Sequence, residues 1–184
     1  MDAVVEVLKR DGVSAVTTNR IAEVAGVSIG SVYQYFPDKQ AIFMALHARH
    51  VDQIGRLVER TLVDHAGVSL EGCMRALVEA MIEAHTRDPE LFELLHAEVP
   101  HRATGARNFE SRLRGVLRLA LSSRMNEMRS RRDIERVLFV LTHMIDSLSH
   151  AAAIQRPSKL SLAAAKEEVT RAVLGYLHLS MANS

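Results

Sequence analysis

Residues 17–39, TTNRIAEVAGVSIGSVYQYFPDK, constrain the fold more than any other part of this chain. They read as two short helices joined by a tight turn. In the first, residues 19–25, Ile21, Ala22, Val24 and Ala25 fall at helical spacing. Thr17 or Thr18 can cap it, since a threonine hydroxyl accepts from the free N–H groups of a first turn. Gly26 follows, where glycine takes the left-handed conformation at little cost. Val27 is read as an apolar plug for the turn and Ser28 as the cap of a second helix, Ile29–Tyr35. Pro37 stops that helix, and Asp38 can cap the next. Helix, short glycine-containing turn and helix form the unit whose second helix enters the DNA major groove.

The second helix is unusual for a buried one. Val32 and Phe36 can point inward, whereas Gly30, Ser31, Tyr33, Gln34 and Tyr35 leave a face of small and hydrogen-bonding groups. Gly30 lowers helix propensity by about 1 kcal/mol relative to alanine. Close approach of a phosphate chain would account for it; an ordinary polar helix with a loosely packed glycine is the plainer alternative.

The order Thr-Thr, Ile-Ala, Ala-Gly-Val-Ser, Gly, Tyr, Tyr-Phe, Lys resembles the N-terminal domain of the TetR family of bacterial transcriptional regulators, in register from Val4 to Leu46. The rest of the chain agrees only as an all-helical pattern of suitable length. The resemblance implies an all-α fold: a three-helix DNA-binding domain with a helix-turn-helix over 1–46, then a larger helical ligand-binding and dimerisation domain over 47–184. It also implies that Thr18, Ser28, Tyr35 and Lys39 contact phosphates, while Asn19, Ile29, Gly30, Ser31, Tyr33 and Gln34 face bases. The family usually has several more residues, often basic, before the first helix; either the start is trimmed here or this member lacks that arm, which leaves a minor-groove contact open.

Apolar residues make up 48% of the 184, with 9 Gly and 4 Pro, which suits helices with short loops and a sizeable core. The lone cysteine, Cys73, excludes an intramolecular disulfide. No signal-peptide pattern opens the chain, and no uninterrupted apolar run approaches 18 residues, so a soluble cytoplasmic protein with no membrane partner is expected. Charge argues against DNA: in residues 1–40, Lys9, Arg10, Arg20 and Lys39 face Asp2, Glu6, Asp11, Glu23 and Asp38, a balance of −1. Affinity would then rest on a few placed cations, hydroxyls and helix N-termini.

Along the chain, helices are expected over 2–10, 38–63, 69–87, 90–97 and 108–128, with a loop over 100–105. Val13, Ala15 and Val16 should seal the small core with Ile21, Ala25, Val32 and Phe36. Asp88-Pro89 is a start signal, cap first and proline at the first helical position. Between Ser111 and Arg132, Arg112, Arg114, Arg118, Arg124, Arg129, Arg131 and Arg132 face only Glu127. Such a run is ordinarily a solvated face; attraction of an anionic ligand or a nucleic-acid backbone is the sharper reading. Two last helices, 133–154 and 161–181, have broad apolar sectors that suit a homodimeric four-helix interface, as the family resemblance also implies; burial within one subunit is the lesser, competing reading.

The nine histidines include pairs at His47/His50, His96/His101 and His143/His150, but two ligands at helical spacing do not make a zinc site, and no metal is expected. There is no HExxH, GxSxG or GxxxxGK pattern, so an enzyme has no residues to carry it, and no cofactor is expected. A mostly apolar ligand site is more plausible, with Met81, His85, Phe92, His96, Phe109, Leu113, Leu117, His143, Met144 and Ser147 as candidates, beside Met74 and Leu95. For any one of them, plain core is the competing reading. The function expected is a ligand-responsive regulator, more readily a repressor, binding a palindromic site in double-stranded DNA as a homodimer and released by a small-molecule effector. A helical scaffolding or ligand-binding protein whose helix-turn-helix meets other proteins is the alternative.

Overall fold

The computed structural model describes residues 1–99, 104–124 and 133–177; the side chains of His96 and of residues 104–108 fall outside the description. The chain is all-α, and the described residues contain no strand. In order come α1 (Asp2–Asp11), a 3-10 turn (Val13–Ala15), α2 (Thr18–Ala25), α3 (Ile29–Tyr35), α4 (Lys39–Asp64), α5 (Leu70–Thr86), α6 (Pro89–Glu98), α7 (Thr104–Ser122), α8 (Ile134–His150), a π-helical turn (Ala151–Gln155) and α9 (Leu162–Tyr176). Packing divides the chain into two units: Met1–Asp52 with Asp88–Arg107, and Gln53–Arg87 with Asn108–Ser184. The first half of α4 belongs to one and its second half to the other.

The first unit has its own core. Val4, Val7 and Leu8 of α1, Val16, Ile21 and Ala22, Val32 of α3, and Ile42, Phe43 and Leu46 of α4 are buried together with Leu91, Leu94, Leu95 and Val99. So α6, far away in sequence, packs against α1 and the start of α4 and shares this core. Val13 and Ala25, expected in this core, are exposed: Val13 sits in the 3-10 turn, and Ala25 is the last residue of α2, on its open side. Asp88 precedes Pro89 as the sequence suggests, but its side chain caps nothing; it pairs with Lys9 of α1 at 2.7 Å.

His47 and His50 lie one turn apart on α4 in this unit. The His50 ring packs edge-on against Phe92, centroids 6.0 Å apart, and its Nε2 is buried without a hydrogen bond. Burial holds both imidazoles below the usual histidine pKa; for His50 the neighbouring His47 adds to this, and Asp88 opposes it. The unfolded chain therefore takes up these protons first, and the contribution to stability is lost as pH falls through about 6.5. Urea melts should give a lower unfolding free energy at pH 5.5 than at pH 7.5. His50→Gln should flatten that difference; an unchanged slope would place the effect elsewhere.

The second unit buries a larger core drawn from α4, α5, α7, α8 and α9, including Met74, Met81, Leu113, Leu117, Leu138, Leu141, Ile145 and Val173. By length and composition Ile134–Gln155 would suffice to cross a membrane. Val137, Leu138, Leu141, Ile145, Ala152 and Ala153 of that stretch pack in this core, while Phe139 is exposed. Expected limits shift here: α7 begins at Thr104, inside the expected loop, and ends at Ser122; the α-helical part of α8 ends at His150. Arg129, Arg131, Arg132 and Glu127, and residues 178–181 of the last expected helix, lie outside the described residues.

Of the described arginines of the basic run, Arg112, Arg118 and Arg124 are engaged within the chain, while the Arg114 Nε is buried with no hydrogen bond among the described residues. Arg112 donates through Nε and Nη2 to Glu59 Oε1 of α4, both at 3.0 Å. Its guanidinium lies over Gly55, where a Cβ would meet Cζ at 2.7 Å. Arg118 pairs with Glu135. Arg124 is 8% exposed and donates to the carbonyls of His65, Ala66, Val68 and Ala120 and to Ser123 Oγ. It thereby closes the α4–α5 turn, whose carbonyls have no helical partner.

Candidate nucleic-acid interface

The two-helix unit is built from local hydrogen bonds. Of the two possible caps, Thr17 is the one used: its side chain accepts from Arg20 N at 3.2 Å. At the other end of α2, Gly26 has φ 66°, the left-handed region. Its N–H bonds Glu23 O at 3.1 Å and that of Val27 bonds Ala22 O at 3.0 Å, the double closure of a Schellman motif. Val27 is held there by its backbone; its side chain, read as a plug, is 46% exposed. Ser28 caps α3 by accepting from Ser31 N at 3.0 Å, and the two hydroxyls are 2.9 Å apart. Asp38 caps α4 by accepting from Ala41 N at 2.7 Å.

Val32 anchors α3 at 7% exposure, with Phe36 half-buried beside it. The opposite side stands clear: Tyr33 is 49% and Tyr35 79% exposed, with Asn19, Ser28, Ile29, Gly30, Gln34 and Lys39 also exposed. Thr18 and Ser31 are half-buried. Thr18 Oγ1 lies 3.3 Å from the Tyr33 hydroxyl, tying α2 to α3 across this face. Around Gly30, the nearest atom to an added Cβ is Ser28 Oγ at 3.7 Å, so the free protein has room there for a side chain. All ten residues named from the sequence thus belong to the two-helix unit or the start of α4.

The unfavourable charge of the first forty residues is neutralised locally. Asp11 is held below the usual carboxylate range by Arg10 and Arg20, and Asp2 by Arg49. Arg20 also reaches Glu23 at 2.7 Å, and Arg10 reaches Glu6 at 3.3 Å. Asp38 is occupied in capping α4. Lys39 Nζ lies 5.1 Å over the Phe43 ring, at the positive end of α4. An array of N–H groups, hydroxyls and one cation on a capped, rigid turn suits a phosphate backbone, and Gln34 and Asn19 suit base edges.

A family pattern described as "Bacterial regulatory proteins, tetR family" matches residues 1–46, and one described as "Tetracyclin repressor-like, C-terminal domain" matches residues 69–177. The chain belongs to the TetR family. Residues 1–46 carry that family's helix-turn-helix head. Among curated proteins it is similar to the nucleoid occlusion factor SlmA of Actinobacillus pleuropneumoniae, 32% identical over 91 residues, which are 46% of this chain and 41% of that protein. The chain thus spans well under two thirds of that relative. The crystal structure of the regulator FadR from Bacillus subtilis in complex with stearoyl-CoA superposes with TM-score 0.66 at 21% identity, covering 95% of this chain and 96% of that one. Thermus thermophilus FadR in complex with lauroyl-CoA gives 0.65 at 22%, covering 100% and 95%.

The residues named for a ligand site are dispersed. Met81, His85, Leu113 and Leu117 are buried in the second unit, with Phe109 and Met144 half-buried there. Phe92 and Leu95 belong to the first unit, Phe92 against His50 and Leu95 in that core. The His96 side chain and His101 lie outside the described residues. His143 and Ser147 are exposed, because the inner stripe of α8 runs through Leu138, Leu141 and Ile145. That stripe carries two polar residues absent from the sequence-based set, Thr142 and Ser149, buried at 3% and 0% exposure. No group of three metal-ligating side chains is positioned for an ion among the described residues.

Proposed function

We propose that this chain is a homodimeric repressor that reads a palindromic operator and is released by a small-molecule effector. The observation carrying this reading is the outward face of α3, where Gly30, Tyr33, Gln34 and Tyr35 stand clear on a helix fixed by Val32 and by caps at both ends of the turn. Each subunit lays Ile29–Tyr35 in the major groove of one half-site. Thr18, Ser28, Tyr35 and Lys39 hold phosphates; Asn19, Ile29, Gly30, Ser31, Tyr33 and Gln34 meet base edges. The first 46 residues act as the reading domain, with α6 as buttress, and residues 47–184 sense the effector and pair with a second copy.

For the dimer, helices 133–154 and 161–181 are the proposed contact. Phe139 on the outer face of α8 is 54% exposed with its ring 4.6 Å from that of His143, and α9 turns Ala164, Ala172 and Gly175 outward. Small residues on one helix and an aromatic on the next suit close two-fold packing. For the effector, the methionine- and leucine-rich core of the second unit suits an elongated apolar molecule, and acyl thioesters, which two proteins of this fold hold, are the first class to test. Its entry tilts α4, which runs continuously from one unit into the other, and changes the spacing of the two α3 helices.

Duplex binding measured against salt tests the reading. Phosphate contacts make affinity fall steeply as salt rises. Absence of duplex binding at low salt, from a folded sample with twice the mass of one chain, would overturn it. Locking α4 to α7 by a disulfide should abolish release by an effector; release that persists would remove the tilt.

A further inference from the structure

We propose that the inner face of α8, around Thr142 and Ser149, holds the polar subsite of the effector site, and that its ligand is a neutral carbonyl group on an otherwise apolar molecule: an ester, thioester or amide. This rests on the reading of the second unit as effector-binding. A hydroxyl within a helix ordinarily donates to a carbonyl of the preceding turn. This protein follows that habit elsewhere: Thr170 donates to Lys166 O at 2.8 Å, and Ser123 to Leu119 O at 3.1 Å. Thr142 Oγ1 and Ser149 Oγ do not, and both are buried with no hydrogen bond among the described residues. Two orphaned hydroxyls on one helix face are unfavourable unless something else meets them.

Their surroundings are specialised. Ser149 stands one residue before His150, whose Nε2 accepts from the Gln155 amide at 3.2 Å. The His150 ring lies edge-on to His85 of α5, centroids 6.1 Å apart, and His85 is itself 4% exposed. Immediately beyond, α8 passes into the π-helical turn Ala151–Gln155, a distortion frequent at functional sites. Thr142 is two turns away, about 10 Å along the axis, on the same stripe as Leu138, Leu141 and Ile145. An elongated molecule lying along that stripe meets a hydroxyl near each end.

Three cations, on α5, on α9 and just past the π-helical turn, are already engaged, which favours a neutral ligand; Arg114 of α7 is the described exception, its buried Nε having no hydrogen bond among the described residues. Arg75 is held by Glu167 and Glu71, and Lys166 by Glu79 and Glu83. Arg156 donates to the Ala152 and Ala153 carbonyls. An anion among these leucines and methionines would find none of those three free, whereas a carbonyl oxygen accepts from a hydroxyl without that cost.

Thermal melts and titrations of the full chain with methyl octanoate and with sodium octanoate, on wild type, Ser149→Ala and Thr142→Val, test this. If the hydroxyls await a ligand, both variants melt about 3 °C above wild type when unliganded, because an orphaned polar group has been removed. Wild type binds methyl octanoate in preference to octanoate, and each variant binds it about 10-fold more weakly. A lower melting temperature in the variants would show that the hydroxyls have structural partners and overturn the proposal. So would unchanged affinity in the variants, a preference for octanoate, or failure of wild type to bind either probe. Duplex DNA binding by the same preparations keeps the regulator reading separate: DNA binding retained while the ester fails removes only the subsite.

Discussion

Arg124→Met is expected to destabilise the second unit by about 3–5 kcal/mol, more than other single changes considered for this chain. The guanidinium is nearly buried, and its donors reach four carbonyls and a hydroxyl, three of the carbonyls in the turn between α4 and α5. Charge-assisted hydrogen bonds contribute about 1.5–3 kcal/mol each, without adding fully; methionine takes this donor from the Ala66 and Val68 carbonyls, while His65 O keeps Val68 N–H and Ala120 O keeps the Ser123 hydroxyl. Lysine is no substitute, since a single ammonium cannot span carbonyls that the planar fork reaches together. Urea denaturation of Arg124→Met and Arg124→Lys should give both clearly below wild type, with the methionine variant at least 3 kcal/mol lower. A loss under about 1 kcal/mol would mean that the turn is held by something other than this side chain.

Gly30→Leu is expected to abolish operator binding while leaving the protein as stable as before. In the free protein a Cβ at residue 30 meets nothing closer than Ser28 Oγ at 3.7 Å, and its φ is not in the left-handed region. Leucine therefore fits, and replacing glycine in a helix favours the folded state by up to about 1 kcal/mol. In the proposed complex the added side chain occupies the exposed face of α3 that would be laid in the groove. Because both subunits carry the change, contacts are lost in both half-sites, and binding is expected to weaken at least about 100-fold, about 2.7 kcal/mol or more. Affinity measured by anisotropy beside a melting curve separates the two effects. Binding retained within threefold would show that glycine at this position has no steric role at DNA.

The two-helix unit was legible in the sequence because everything that defines it is local. Thr17, Gly26, Ser28 and Asp38 act on groups within a few residues, and Val32 and Ile21 disclose their inward side by spacing alone. What was not legible depends on distant partners. Nothing near Leu91, Leu94 and Leu95 reveals that they share a core with α1 and the first half of α4. Arg124 looks like one more charge in a basic run; its burial depends on carbonyls of His65, Ala66 and Val68 roughly sixty residues earlier. In α8 the difficulty is angular. Consecutive residues differ by about 100° around a helix, and with Ile134, Val137, Leu138, Val140, Leu141, Met144, Ile145 and Leu148 spread widely around it, the pattern leaves the inner direction open. His143 and Ser147 accordingly point outward while Thr142 and Ser149 point inward.

Selection of bound sequences from random duplex DNA, with wild type and Gly30→Leu run in parallel, tests the central claim most directly: that the exposed face of α3 reads DNA. The account predicts enrichment of a palindrome with half-sites about one helical turn or more apart, present for wild type and lost for a variant that melts at the same temperature or higher. No enrichment at low salt from folded, unliganded dimer would contradict it.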